Sequence, residues 1–230
     1  MQTKQDHAYR TLKDQITRGV LLPGQRVVVN RFAQQIGTSA IPVREALLRL
    51  EAEGLVDITP HVGAVVTHIT GKMIEMTLET LAVMEGYATR IAAEHATDLV
   101  PALERLHEAM TRAAKHEDWA EFSRKNREFH FAIYDVVDNT VLTKTIEDLW
   151  SQLDTYLNAA AFYLMPDRAL GSVAEHGRII AALKDETPDP VLVERLARVH
   201  KLNTAKRLRP AESSDGTGTV HFAAVGDAAP

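Results

Sequence analysis

The fifteen residues IPVREALLRLEAEGL, Ile41–Leu55, decide how the first third of the chain is read. Val43, Leu47 and Leu50 recur at helical spacing and form one apolar seam, whereas Arg44, Leu48 and Arg49 fall outside it. Pro42 sits in the first turn, where its missing N–H removes no hydrogen bond. Gly54 stops the helix after about Glu53. Upstream, Ala8, Leu12 and Ile16 mark a first helix, ended by Gly19 and the Pro23-Gly24 turn. A short second helix is expected from Asn30, whose side chain can cap a first-turn N–H, through Phe32, Ala33 and Ile36 to Gly37. Gly37-Thr38-Ser39 connects it tightly to the third. Downstream, Leu55–Thr59 and Ala64–Thr67 read as strands joined by the hairpin tip Pro60-His61-Val62-Gly63. Three helices followed by a hairpin predict a winged helix-turn-helix within residues 1–70.

That arrangement implies contact with double-stranded DNA. A helix presenting its N-terminal turns and basic side chains enters the major groove, and a hairpin beside it reaches the backbone or minor groove. Arg44 is the leading candidate for a base or phosphate contact. Asn30, Arg31, Ser39, Ala40, Ile41, Arg49, His61 and Gly63 complete the candidate DNA-contact set. Residues 1–70 carry eight Lys/Arg against six Asp/Glu, and residues 71–230 carry eighteen against twenty-five. A net charge of −5 excludes a general nucleic-acid coat protein, which needs a broad basic surface, but not a sequence-specific reader with a local basic face.

With 230 residues and 45% hydrophobic content, the chain can build two modest cores. The absence of cysteine excludes a disulfide scaffold and thiolate metal sites, and fits a reducing cytoplasm. The N-terminus MQTKQDHAYR lacks a signal-peptide core, and no apolar run nears the roughly 20 residues of a membrane span, so no membrane partner is expected.

From Gly71 to about residue 209 the periodicity is helical throughout. Helices are expected at about 71–96, 98–116, 118–138, 140–163, 166–185 and 189–208, with Asp98, Asp118, Asn139 and Asp167 near their starts. The fold class is mainly α: a winged helix-turn-helix followed by an antiparallel helical bundle. Residues 210–230 are small, polar and Gly-rich and read as a flexible tail. Within the bundle, Asn126 and His130 stand four apart on one helix face, and His176 and His200 lie on two later helices. Three imidazoles and an amide oxygen on converging helices suit a divalent transition metal, zinc first, with nickel, manganese or iron as others. Histidines on helices also serve as ordinary core or surface residues, and spacing alone leaves both readings open. Tyr134, Ser172 and Asn203, one turn from the histidines, are candidates to line a pocket or to make ordinary hydrogen bonds.

The stretches LLPG (21–24), PVREAL (42–47), RLEAEGL (49–55) and Gly63 closely resemble the DNA-binding domain of GntR-family transcription regulators. The later pattern, N-x-x-F-H at 126–130, Glu175-His176 and a late His200, resembles the FCD effector domain of the FadR subgroup, in its shorter six-helix, VanR-like variant. The resemblance implies a homodimer on a two-fold symmetric operator, in most cases a repressor released by a small organic acid bound at a metal held by Asp or Asn and three histidines. It implies a regulator, not an enzyme. A metal-dependent hydrolase using the three histidines and a DNA-binding dimer without metal or effector are the alternatives. Several positions depart from the family. Asn126 stands where many relatives have aspartate, Leu81 where they often have arginine, and Ser39-Ala40-Ile41 where they usually carry Ser-Arg-Thr.

Arginine reads guanine O6 and N7 with a bidentate pair that discriminates by about 1–3 kcal/mol, which Ala40 cannot supply. The operator should therefore depend less on guanine at that step. Ala40→Arg is expected to raise affinity for a guanine-containing half-site in a gel-shift titration; equal affinity of variant and parent would contradict this.

Overall fold

The computed structural model describes residues 3–59, 63–68, 70–157 and 166–208. The chain divides between Thr70 and Gly71 into two compact units. In the first, helix α1 (Lys4–Thr17) begins behind Thr3, whose hydroxyl accepts the Asp6 N–H at 3.0 Å. It ends at Arg18, and Gly19 turns the chain with φ +69°. Strand β1 (Arg26–Val27), helix α2 (Val29–Gln35), helix α3 (Ala40–Ala52) and strands β2 (Val56–Thr59) and β3 (Gly63–Val66) follow. The sheet order is β1-β3-β2, antiparallel throughout, with Arg26 opposite Val65 and Val56 opposite Val66. Leu12, Phe32, Val43, Leu47, Leu50 and Val66 fill the core beneath this sheet and the three helices.

Two local expectations are corrected. Helix α2 starts one residue earlier than Asn30, because extended Val28 takes the cap position and its carbonyl accepts the Phe32 N–H at 3.0 Å; Asn30 lies inside the first turn. The wing also gains strand β1, which at two residues is too short to show a period-2 pattern.

The second unit contains α4 (Gly71–Ala92), a 3₁₀ turn at Ala93–His95, α5 (Ala96–Lys115), α6 (Trp119–Tyr134), α7 (Thr140–Leu157), α8 (Pro166–Leu183) and α9 (Pro190–Leu208). The 3₁₀ turn ends α4 short of residue 96 and starts α5 early. Asp118 caps α6 by accepting the Glu121 N–H, and Asn139 caps α7 by accepting the Leu142 N–H, both at 3.0 Å. The end expected for α7 beyond residue 157 and the tail at 210–230 lie outside the described residues. Among the described residues no helix is long and apolar enough to cross a membrane.

Helices α4 and α9 form the most extensive helix pair and run antiparallel, as the Arg90–Glu194 and Glu85–Lys201 ion pairs require. Gly86 permits their close approach. A Cβ there would stand 2.3 Å from Arg198 Cγ and 3.2 Å from the Glu194 carbonyl oxygen. Overpacking of this kind costs about 1–3 kcal/mol, more than the gain in helix propensity. Gly86→Ala is accordingly expected to lower the denaturation midpoint; an unchanged or raised midpoint would show that the helix pair is not held at this spacing.

Candidate metal centre and DNA-contact residues

Helix α6 presents Asn126 and His130 one turn apart, α8 presents His176 and α9 presents His200. All four are buried, at 4%, 4%, 0% and 3% exposure. His200 Nε2 lies 3.2 Å from both His176 Nε2 and His130 Nε2. One ligand nitrogen from each histidine falls within 4.8 Å of the others, so the three could hold a metal ion. Sequence spacing proposed this convergence, and the packing of α6, α8 and α9 achieves it.

Neighbouring groups orient the rings. His200 Nδ1 lies 2.7 Å from Glu175 Oε2, so its proton sits on Nδ1 and donates to that carboxylate, leaving Nε2 as a bare lone pair. Glu175 in turn accepts from Arg168 Nη2 and Asn203 Nδ2, each at 2.7 Å. Arg168 also donates to the His200 carbonyl at 3.0 Å and to Thr204 Oγ1 at 3.0 Å. On the opposite side, His130 Nδ1 faces the Tyr134 hydroxyl at 3.4 Å and Glu85 Oε2 at 3.9 Å. Glu85 is itself held by Lys201 Nζ at 2.9 Å and by the Trp150 indole N–H at 2.7 Å. Phe129 stacks on His176 with ring centroids 4.3 Å apart.

Burial drives His130 and His176 well below the ordinary histidine value, and the cations Lys201 and Arg168 push the same way. Burial also lowers His200, and the Glu175 bond restores only part, leaving it at about 4. Burial alone would raise Glu175; the bonds from His200 and Asn203 and the charge of Arg168 outweigh it and hold the carboxyl at about 2. Three neutral imidazoles with two fixed carboxylates behind them match the protonation state that a divalent ion demands. Asn126 Oδ1, Ser172 Oγ and His176 Nδ1 are buried with no hydrogen-bond partner among the described residues. Three buried imidazole nitrogens within reach of one ion fit a first-row divalent metal, and Asn126, one turn before His130 on α6, offers an unpaired amide oxygen.

The supporting residues Arg168, Glu85, Lys201 and Trp150 escaped the sequence reading. Their signal was present: Glu85 interrupts the apolar seam of α4, and Arg168 and Glu175 stand seven apart on one face of α8. A charge inside a seam announces a partner without naming it. Of the pocket candidates, Tyr134 is tied to His130 and Asn203 to Glu175, while Ser172 is buried at 1% exposure. Leu81 is fully buried core.

In the first unit, Ser39 precedes α3 and Ala40, Ile41 and Arg44 occupy its first turns, with Ile41 66% exposed and Arg44 exposed. Asn30 and Arg31 are exposed at the start of α2. Gly63 opens β3 with φ +98°. Arg49 differs from these. Its guanidinium stacks 3.7 Å from the Tyr9 ring centroid and pairs with Asp6 and Glu53 at 3.9 and 3.6 Å, joining α3 to α1. His61 lies outside the described residues.

Residues 4–66 match the gntR family of bacterial regulatory proteins, and residues 76–203 match the FCD domain. The chain belongs to the GntR family. It is 30% identical over 175 residues to the HTH-type transcriptional regulator McbR of Escherichia coli K12, covering 75% of this chain and 79% of that one. It is 27% identical over 170 residues to the gluconate operon transcriptional repressor of Bacillus subtilis, covering 74% and 68%. The solved structure of E. coli McbR superposes with a TM-score of 0.64 at 25% identity, covering 90% of this chain and 98% of that one. The regulator is thus a DNA-binding transcription factor with an FCD unit, and its relatives are regulators rather than enzymes. That removes the support for a hydrolase.

The buried Arg168–Glu175 pair gives this regulator a measurable dependence. Removing one partner of a buried pair costs about 3–5 kcal/mol, because the other charge is stranded. Arg168→Met should lower unfolding free energy by that order in urea titrations, and adding Glu175→Gln should recover part of it. Full stability of Arg168→Met would mean that Glu175 needs no cationic partner.

Proposed function

We propose that this regulator is a homodimeric repressor whose bundle holds one divalent transition metal, zinc foremost, on Asn126, His130, His176 and His200. A small organic acid bound at that metal releases the operator. The observation that carries the reading is the convergence of three buried imidazoles: the Glu175 bond leaves His200 Nε2 as a lone pair, and that atom stands 3.2 Å from both His130 Nε2 and His176 Nε2, close enough for one ion to take a nitrogen from each ring.

Asn126 leaves the protein shell neutral, so the metal keeps its full charge and favours an anionic fourth or fifth ligand. A carboxylate fills that role, with Ser172, Tyr134 and Asn203 as the candidate pocket residues beside it. Zinc, nickel, manganese and iron all accept such a shell; imidazole-rich sites of this kind most often hold zinc. When bound, the metal supplies Lewis acidity for ligand capture. The protein's own residues set ring orientation and exclude water.

Met76, Val83 and Tyr87 leave 54%, 50% and 48% of their surface exposed along one stripe of α4, an apolar face suited to a second copy of the chain. Two copies related by a two-fold axis would present two winged units to a palindromic operator, with Arg44 reading or anchoring each half-site and Ser39, Ala40 and Ile41 beside it. This reading places the regulator in the bacterial cytoplasm with its DNA.

Native mass spectrometry of the fresh protein tests the reading: a dimer carrying one divalent ion per chain is expected, with or without a retained acid. A dimer that stays metal-free after incubation with zinc, nickel and manganese would overturn it. Asn126→Asp should tighten metal and weaken an added carboxylate in competition titrations; unchanged affinities for both would refute the neutral-shell argument.

A further inference from the structure

Charge in the DNA-binding unit is segregated along the chain. Between Asp14 and Glu45 lie Arg18, Arg26, Arg31 and Arg44 and not one Asp or Glu. Outside that stretch lie Lys4 and Arg10, exposed on α1, and two cations spent on structure: Lys13 on Glu53, and Arg49 on Asp6, Glu53 and the Tyr9 ring. Arg18 reaches back to Asp14 at 3.5 Å. Arg26, Arg31 and Arg44, by contrast, are exposed and have no ion-pair partner among the described residues.

Two of these three share a cavity. A cleft of about 280 Å³ opens between α1, the segment before β1, and α2. Gln15, Gln25, Arg26, Arg31 and Gln35 supply its entire polar lining, and the rest of the wall is apolar. Two guanidinium groups and three neutral amides, with no carboxylate to compensate them, are the chemistry of an anion site. Its place in the fold selects the anion. The Arg26 guanidinium lies across Gly63, the first residue of β3, where a Cβ would stand 3.3 Å from Nε and 3.4 Å from Nη2. Arg31 follows Asn30 in the first turn of α2, the helix that precedes α3. The site therefore spans the wing, at strand β1, and the positioning helix, the two elements that flank a duplex when α3 enters its groove.

We propose that Arg26 and Arg31 form a clamp for a phosphodiester of the DNA backbone. It sets the register of the winged unit without reading sequence, while Arg44 on α3 contributes sequence-dependent contact. The inference rests on DNA binding by the GntR unit. Sequence pattern alone did not single out Arg26, because a residue on a two-residue strand carries no periodic signal; its orientation over Gly63 and its shared cleft with Arg31 do.

The test uses the full-length protein, an operator selected by the wild type from random duplexes, and a scrambled duplex of equal length. Fluorescence anisotropy across a NaCl series gives the slope of log affinity against log salt. Each phosphate contact contributes about 0.9 to that slope. Arg26→Gln and Arg31→Gln should each reduce it by about that amount, and the double variant by about twice as much. Both duplexes should weaken by the same factor, whereas Arg44→Gln should weaken the operator more than the scrambled duplex. A double variant with the wild-type slope overturns the clamp, as does a loss confined to the operator, which would make these arginines base readers. If the double variant abolishes saturable binding of inorganic phosphate in calorimetry yet keeps the wild-type DNA slope, the site belongs to a free anion and the DNA assignment falls. Failure of the wild type itself to bind either duplex would contradict the DNA-binding reading, a result distinct from all of these.

Discussion

The hydrogen bond between His200 Nδ1 and Glu175, 2.7 Å long, is the constraint around which the second unit is organised. It fixes the tautomer of one imidazole and so the direction of one lone pair. It also places a carboxylate inside a helical bundle, which obliges Arg168 and Asn203 to turn inward and satisfy it. Glu85 stands 3.9 Å behind His130, and it brings Lys201 and Trp150 with it. The two buried ion pairs are thus consequences of orienting histidines. Replacing them with apolar side chains could leave the fold intact or stabilise it, but the imidazoles would lose their fixed orientation.

The first unit divides its cations by a similar logic. Arg49 and Lys13 hold α1 against α3 through Tyr9 and Glu53, and their charge is engaged before any ligand arrives. Arg26, Arg31 and Arg44 have no such partner among the described residues. A modest net charge for residues 1–70 therefore conceals a polarised surface. Summed charge reports solubility and long-range steering, whereas the pairing of individual cations decides which remain available to phosphate.

Much of this was legible from residue order. The seam of Val43, Leu47 and Leu50, with Pro42 in the first turn and Gly54 after the end, determines α3 because periodicity and stop chemistry agree. The six bundle helices were readable for the same reason. Asn126, His130, His176 and His200 could be nominated because residue type and helical spacing restrict where imidazoles can meet. Strand β1 was not readable, since two residues carry no period. Nor were the partners of Glu85 and Glu175, because Lys201 and Arg168 lie far from them or on a face whose burial depends on tertiary packing. Arg49 shows the converse limit: its type and position suit a DNA contact, and only the stacking on Tyr9 shows that its charge has another use.

Coupling between a bound ligand and the operator needs an element that both sites can bias. An effector changes DNA affinity only by the free energy with which it distinguishes two arrangements, and the operator must change effector affinity by the same factor. Helix α9 carries His200 and is bound to α4 through Lys201–Glu85 and Arg90–Glu194. Helix α4 begins at Gly71, directly after the residue that ends the first compact unit. Glu85 sits in α4 and faces His130 at 3.9 Å, so α4 backs the histidine cluster and also follows directly on the winged unit in the chain. The tight packing of α4 on α9 at Gly86 couples those two helices stiffly, since a shift of one helix there cannot be absorbed by empty space. A shift of α9 at His200 therefore bears directly on α4, whose Glu85 is paired with Lys201 of the same helix.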